Sequence, residues 1–203
     1  MSAAPLPAAA PAARFHVAQK ITPFGNQYRV HADADGSPGR LVAFAKQKRM
    51  AFKEQFTLFG DEDGQRPVLR IAADRRVDIR STMSVTDPAS GQLIGRLRKK
   101  AGASLVRSTW ELEQEGLPVV TVTERSVAVA VLRRVWEFLP LLNSVPVPWV
   151  FHFDGTTPDG AKVLSHTRQW GIRDRYVLEV LSPAVDSRLA IALAICLDAM
   201  QGR

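Results

Sequence analysis

From Phe15 onward the chain is written mostly in alternating apolar and polar positions. Tyr28-Arg29-Val30-His31 alternates, and so does Val77-Asp78-Ile79-Arg80. The apolar series of the latter continues through Met83 and Val85, with Thr82, Ser84 and Thr86 on the other face. Leu93 and Leu97 alternate with Ile94, Arg96 and Arg98. Val106, Trp110 and Leu112 alternate with Arg107, Thr109 and Glu111, and Trp149, Phe151 and Phe153 with Val150, His152 and Asp154. Tyr176, Leu178 and Val180 close the series. A period of two places successive side chains on opposite faces of a strand, so these runs predict a sheet with one wet and one dry face.

Asp35-Gly36, Asp63-Gly64, Ser90-Gly91, Glu115-Gly116 and Asp159-Gly160 fall between such runs. Glycine enters the left-handed region without a Cβ clash, so each pair predicts a tight hairpin. The result is about a dozen strands, more than one open antiparallel sheet carries without curling. Closure into a barrel removes the exposed edges; two packed sheets would shorten or protect them.

Two segments depart from the period of two. In the first, 127–139, Val131, Val135, Phe138 and Leu139 share a helical face, although the opening Val-Ala alternation fits a strand equally well. The second, 186–200, begins with Asp186, whose carboxylate suits an N-cap. Leu189 to Leu197 then carries no polar side chain except the thiol of Cys196. A helix apolar on every side belongs inside protein or lipid. Nine residues rise about 14 Å, and a bilayer needs about 20 residues, so this helix is expected inside the protein. A barrel of about twelve strands has a lumen too wide for strand side chains alone to fill. The excess of strands and the all-apolar helix therefore account for each other: the expected fold is mainly β, a closed antiparallel barrel around a hydrophobic C-terminal helix.

Length and composition fit one such domain. The chain has 203 residues, 46% hydrophobic and 23% charged, enough to bury a core without disulfides or metals. The Pro/Ala-rich start, residues 1–14, reads as a disordered tail or extended linker without the pattern of a signal peptide. Residues 15–203 read as the barrel domain. A single cysteine, Cys196, excludes an internal disulfide and a Cys-rich zinc site, and the four histidines form no HxxxH pattern. No cofactor or metal is expected. The net charge of +7 and a pI near 10.1 favour anionic partners, phospholipid headgroups or nucleic acid.

The strand-rich meander with its DG turns, the basic connector Lys46-Gln47-Lys48-Arg49 and the closing apolar helix resemble the LURP-one-related proteins. The matching stretches are 21–30, 41–64 and the end from Arg173-Asp174-Arg175-Tyr176 through Asp186-Ser187-Arg188-Leu189 to Leu197-Asp198-Ala199. That family is grouped with phospholipid scramblases and the tubby C-terminal domain. The resemblance implies a twelve-stranded barrel around a central helix. It also implies contact between basic side chains and anionic headgroups, as in tubby domains. The chain lacks the cysteine-rich palmitoylation cluster of scramblases and any EF-hand-like run of carboxylates, so lipid translocation and calcium control are not expected.

Candidate sites follow from charge. Lys46, Lys48, Arg49 and Lys53 form one basic cluster, and Arg96, Arg98, Lys99 and Lys100 another; Arg75, Arg76 and Arg80 are diluted by Asp74 and Asp78. Convergent Lys and Arg could hold a headgroup phosphate, or they could serve only as solvated connectors that keep the surface soluble. Arg133, Arg134 and Trp136 suit a membrane interface, or equally a helix docked on the barrel. Asp61-Glu62-Asp63 lacks the distal glutamate of a calcium loop and reads as a hairpin. Asp198 opposes the dipole of its own helix, so an arginine partner is expected there. Cys196 reads as core. Ser108 and Ser165 read as strand serines, and no nucleophile elbow, Walker A or GxGxxG sequence is present. The expected role is non-enzymatic binding or scaffolding in the cytoplasm, peripheral to anionic membrane. Nucleic-acid binding is the alternative; it lacks a recognition helix and a row of aromatics for stacking.

Overall fold

The computed structural model describes residues 13–22, 25–48, 55–73, 82–100, 108–125, 152–169 and 175–199. The segment 127–139 and the alternating run 77–80 lie outside these. Twelve strands are described: β1 (Ala13–Thr22), β2 (Gly25–Ala34), β3 (Ser37–Lys48), β4 (Gln55–Phe59), β5 (Pro67–Ala73), β6 (Thr82–Thr86), β7 (Leu93–Lys99), β8 (Thr109–Gln114), β9 (Leu117–Glu124), β10 (His152–Thr156), β11 (Lys162–Gln169) and β12 (Arg175–Val180). One helix, α1 (Ser187–Ala199), follows. Each strand pairs antiparallel with the next, and β1 pairs with β12 to close the barrel. No sheet edge is left over.

β1 takes in Ala13 and Arg14, just ahead of the boundary suggested by composition, because closure needs them. Ala13 stands opposite Val180 and Arg14 opposite Glu179, whose carboxylate accepts from the Arg14 guanidinium. All five glycine turns form where the sequence places them. Asp35 and Gly36 both have positive φ, 51° and 83°, the backbone that a two-residue hairpin requires and that matches strand twist.

The alternation resolves into an apolar inside and a polar outside. Tyr28, Val30, Met83, Val85, Leu97, Trp110, Leu112, Phe153, Tyr176, Leu178 and Val180 are all buried. Leu93 is the departure: it is 41% exposed. The β6–β7 register slips there, with Val85 opposite Gly95 but Thr86 opposite Leu93. The extra residue, Ile94, bulges and packs on the core instead, and a bulge turns the preceding side chain to the other face.

α1 runs through the lumen. Every residue from Leu189 to Leu197 is buried, and the helix meets β5, β7 and β12, strands on different sides of the barrel. Asp186 caps it as anticipated, its carboxylate accepting from the backbone N–H of Arg188 at 2.8 Å. Gln114 of β8 pins the same end, accepting from the Asp186 N–H and donating to the Ala184 carbonyl, both at 2.8 Å. Arg188 reaches Asp87 at 3.0 Å. Cys196 is core: it touches Met83 of β6, and burial pushes its thiol pKa up. At Gly95 of β7 the helix comes so close that a Cβ would sit 2.6 Å from Leu189 Cδ2 and 2.4 Å from the Glu113 carbonyl.

Two substitutions read this packing directly. Leu193→Ala, which empties a fully buried site on α1, is expected to cost about 2–5 kcal/mol. Gly95→Ala, which forces helix and strand apart, is expected to cost about 1–3 kcal/mol. Urea unfolding curves of the two variants provide the check; unchanged midpoints would contradict a helix gripped by the barrel wall.

Candidate functional site

Antiparallel meandering gives the barrel two unlike ends. At one end lie the tight connections 35–36, 60–66, 87–92, 115–116, 157–161 and 181–186, with the N-terminus of α1. At the other the strands run out into segments outside the described residues, and the C-terminus of α1 arrives there.

At that second end the helix tip is held by phenols. Asp198 accepts from Tyr28 of β2 at 2.9 Å and from Tyr176 of β12. Gln19 of β1 donates to the Tyr28 oxygen at 3.3 Å. Two phenols thus donate to Asp198. Burial, then the Asp198 charge, pushes the Tyr28 pKa up, which keeps the phenol a donor.

His166 of β11 stacks on Tyr176, ring centroids 4.9 Å apart, and stands opposite Phe153 in register. It is 2% exposed, and neither ring nitrogen has a hydrogen-bond partner among the described residues. Burial lowers its pKa to about 4, and His152 adds in the same direction.

The outer wall carries the charge. Beside the β9–β11 strands Arg125 clamps Asp154 through two bonds of 2.8 and 2.7 Å, and Lys162 approaches the same carboxylate at 2.7 Å. Burial raises the Asp154 pKa, but the two cations more than offset it and leave it at about 2. Ser165 donates to Asp154 at 3.3 Å, so this serine is tied to a carboxylate and has no described imidazole base; it reads as structural, as its sequence context suggested. Asp61 accepts from the N–H groups of Gln65 and Arg66, and Glu62 is bound by Arg29 at 2.8 Å. The acidic run thus closes a hairpin. Among the described residues no group of three or more His, Cys, Asp and Glu could hold a metal ion.

The predicted basic clusters are described only in part. Lys46 is exposed near the end of β3, its ammonium 5.4 Å from the Phe44 ring centroid. Lys48 belongs to the same strand, but its side chain lies outside the described residues, as do Arg49, Lys53, Arg75, Arg76, Arg80, Arg133, Arg134 and Trp136. The β7 run divides by parity. Arg98 is exposed on the outer face beside Glu111, while Lys99 turns toward the Trp110 ring at 5.9 Å. Lys100 pairs with Glu111 at 2.6 Å, and Arg96, half-buried, stands opposite Glu113. Three strands, β4 to β6, lie between β3 and β7, which carry the described parts of the two clusters.

Barrel closure builds a different cationic group. Lys20 of β1 is opposite Gln27 of β2, and Gln27 is opposite Lys46 of β3, so the two lysines share the outer face about 10 Å apart. Arg175 of β12 pairs with Ala18, one strand away from Lys20 and two residues along. None of the three forms an ion pair within 4 Å among the described residues, although Glu62, bound by Arg29, feels the charge of Lys46. Neither Lys20 nor Arg175 stood out in the sequence: Lys20 has no basic neighbour, and Arg175 stands in Arg173-Asp174-Arg175, where Asp174 dilutes the charge.

A family model described as LURP-one-related matches residues 41–198. Among curated proteins no match was found.

The buried histidine predicts a pH dependence of stability. His166 binds its proton near pH 6.5 when unfolded but only near 4 when folded. Between those values the unfolded chain holds more protons, so stability falls as pH falls from about 6.5 to about 4. The loss by pH 5 should be about 2 kcal/mol. The lowered carboxylates, such as Asp154, act only below about pH 4. Urea unfolding at pH 7.5 and pH 5 should show this loss in the parent and most of it abolished in His166→Phe, with the residue due to His152, whose pKa is also lowered. An equal loss in the variant would contradict the assignment.

Proposed function

The chain belongs to the LURP-one-related family, and on that premise we propose that it is a non-enzymatic barrel that associates peripherally with anionic phospholipid headgroups. The observation that carries this reading is the group of Lys20, Lys46 and Arg175 on β1, β3 and β12, three cations on one outer wall with no close ion pair among the described residues; the one carboxylate charge felt by Lys46, Glu62, is already bound by Arg29. Structural cations in this barrel are neutralised, as Arg14, Arg29, Arg125 and Arg188 are by Glu179, Glu62, Asp154 and Asp186. A cation without a close ion pair keeps its hydrogen-bond donors available to phosphate, and Lys and Arg on neighbouring strands supply several donors at headgroup spacing. Lys48, at the end of the same β3 strand, extends this group along the sequence.

The catalytic reading finds no support in the buried groups. Cys196 is sealed in the lumen with its thiol pKa raised, and Ser165 is bonded to Asp154. Membrane contact on this reading is peripheral, since no helix among the described residues is long and apolar enough to cross a bilayer.

Each basic residue near an anionic surface contributes about 1 kcal/mol. Reversing all three, Lys20→Glu with Lys46→Glu and Arg175→Glu, should therefore weaken vesicle binding by at least about 100-fold. Co-sedimentation with phosphatidylcholine vesicles, with and without phosphatidylserine, at physiological salt tests this. Binding should require the anionic lipid and be lost in the triple variant. Equal recovery with neutral vesicles, or tighter binding to duplex or single-stranded DNA than to anionic vesicles, would overturn the reading.

A further inference from the structure

One ion pair on the outer wall is built the other way round from the rest. In the described Lys and Arg pairs that hold Glu179, Glu111, Asp154, Asp87 and Asp186, the carboxylate is the less exposed partner. In the pair of Arg29 with Glu62 the arginine is the more enclosed, its side chain 28% exposed against 51% for the glutamate. Arg29 stands on β2, its guanidinium carbon 5.2 Å from the ring centroid of Phe44 on β3, and the Lys46 ammonium lies 5.4 Å from the same centroid. The Arg29 Nε and Nη2 donate in parallel to the two Glu62 oxygens at 2.8 Å, and Nη1 faces Gln27 Oε1 at 3.4 Å. Glu62 reaches this fork from the 60–66 hairpin, across β3. The hairpin closes without it. Asp61 accepts from the N–H groups of Gln65 and Arg66, the Gly60 N–H donates to the Arg66 carbonyl, and the Arg66 guanidinium donates to the Gly60 carbonyl.

We infer that Glu62 is an intramolecular occupant of a phosphate site: when its carboxylate is displaced, Arg29 and Lys46 bind a phosphomonoester, and Glu62 sets the threshold for that binding. This rests on the lipid-binding reading above for the source of the phosphate. An arginine fork that holds two carboxylate oxygens in parallel holds two phosphate oxygens in the same way. A phosphomonoester brings a third terminal oxygen and a second charge, which Lys46 beside the same ring is placed to take. Glu62 already feels both cations: the Arg29 hydrogen bonds, then the charges of Arg29 and Lys46, hold its pKa below the ordinary glutamate value. A tethered carboxylate competes without the entropic cost of bringing a free one to the site. A singly charged headgroup that uses only the fork therefore gains nothing by replacing it. Release is nevertheless easy. An exposed ion pair favours its closed form by a factor of about five at most. The departing glutamate moves into water, and Arg29 stays on the wall.

Co-sedimentation tests this with phosphatidylcholine vesicles that carry either phosphatidylserine or phosphatidic acid, whose headgroup is a bare phosphomonoester, matched for zeta potential. The parent should bind the phosphatidic acid vesicles more tightly. Glu62→Gln should tighten that binding by about three- to fivefold. Glu115→Gln makes the same change of charge in the exposed β8–β9 turn and should gain distinctly less. Arg29→Lys keeps the charge on β2 without the fork; it should lose the preference for phosphatidic acid and still bind phosphatidylserine. Equal gains in Glu62→Gln and Glu115→Gln, or a preference that survives Arg29→Lys, would overturn the inference and leave lipid binding intact. A soluble arm separates the sources of phosphate. Glycerol phosphate titrated into the parent should move the NMR resonance of the Glu62 carboxylate carbon and leave it in place in Arg29→Lys. That response without sedimentation of the parent on either anionic vesicle overturns the lipid reading alone, and no response in either arm overturns both.

Discussion

Nine consecutive residues that water does not solvate well, Leu189 to Leu197, must be enclosed on every side. That demand sets the rest. Two strands or a flat sheet could cover one face of such a helix; only a wall that returns on itself covers all of them. Twelve antiparallel strands do so here, and the pairing of β1 with β12 completes the enclosure. The wall meets the helix with side chains where there is room and with Gly95 where there is none. Burial of five large aliphatic side chains on α1, at about 2 kcal/mol each, couples the last segment of the chain to strands from nearly its whole length.

The helix also fixes polarity. Its N-terminus is fastened by Gln114, Asp186, Arg188 and Asp87 at the end where the turns are short and acidic. Its C-terminus ends in Asp198, a carboxylate placed against the helix dipole. Two phenols relieve that conflict, and they also anchor the tip to β2 and β12 near the closing seam. The field of the peptide dipoles and the field of the surface charges therefore favour the same direction of the helix.

Much of this architecture was legible because it depends on local patterns. A strict period of two, Gly in the turns and an uninterrupted apolar stretch each specify one conformation, and together they specify a filled barrel. The slip at Ile94 was not legible, since Leu93 and Leu97 fit the alternation and only the pairing with Thr86 reveals the extra residue. How charges group on the barrel wall is less legible in the sequence, for a related reason. Runs such as Arg96-Leu97-Arg98-Lys99-Lys100 look like one patch along the sequence, yet a strand sends their charges to opposite faces. The group formed by Lys20, Lys46 and Arg175 is visible only after closure joins residues 155 positions apart. Likewise the phenols at Asp198 come from strands no local signal connects to the helix.

The central claim is that α1 is enclosed, so that its backbone meets solvent only when the barrel itself opens. Native-state hydrogen exchange tests it most directly. The amides of Leu193 to Leu197 should exchange with the same opening free energy as the central amides of β5, β7 and β12, and with the same urea dependence. Exchange of the helix amides at a markedly lower free energy, insensitive to urea while the strands remain protected, would mean that the helix leaves without the wall and would contradict the account.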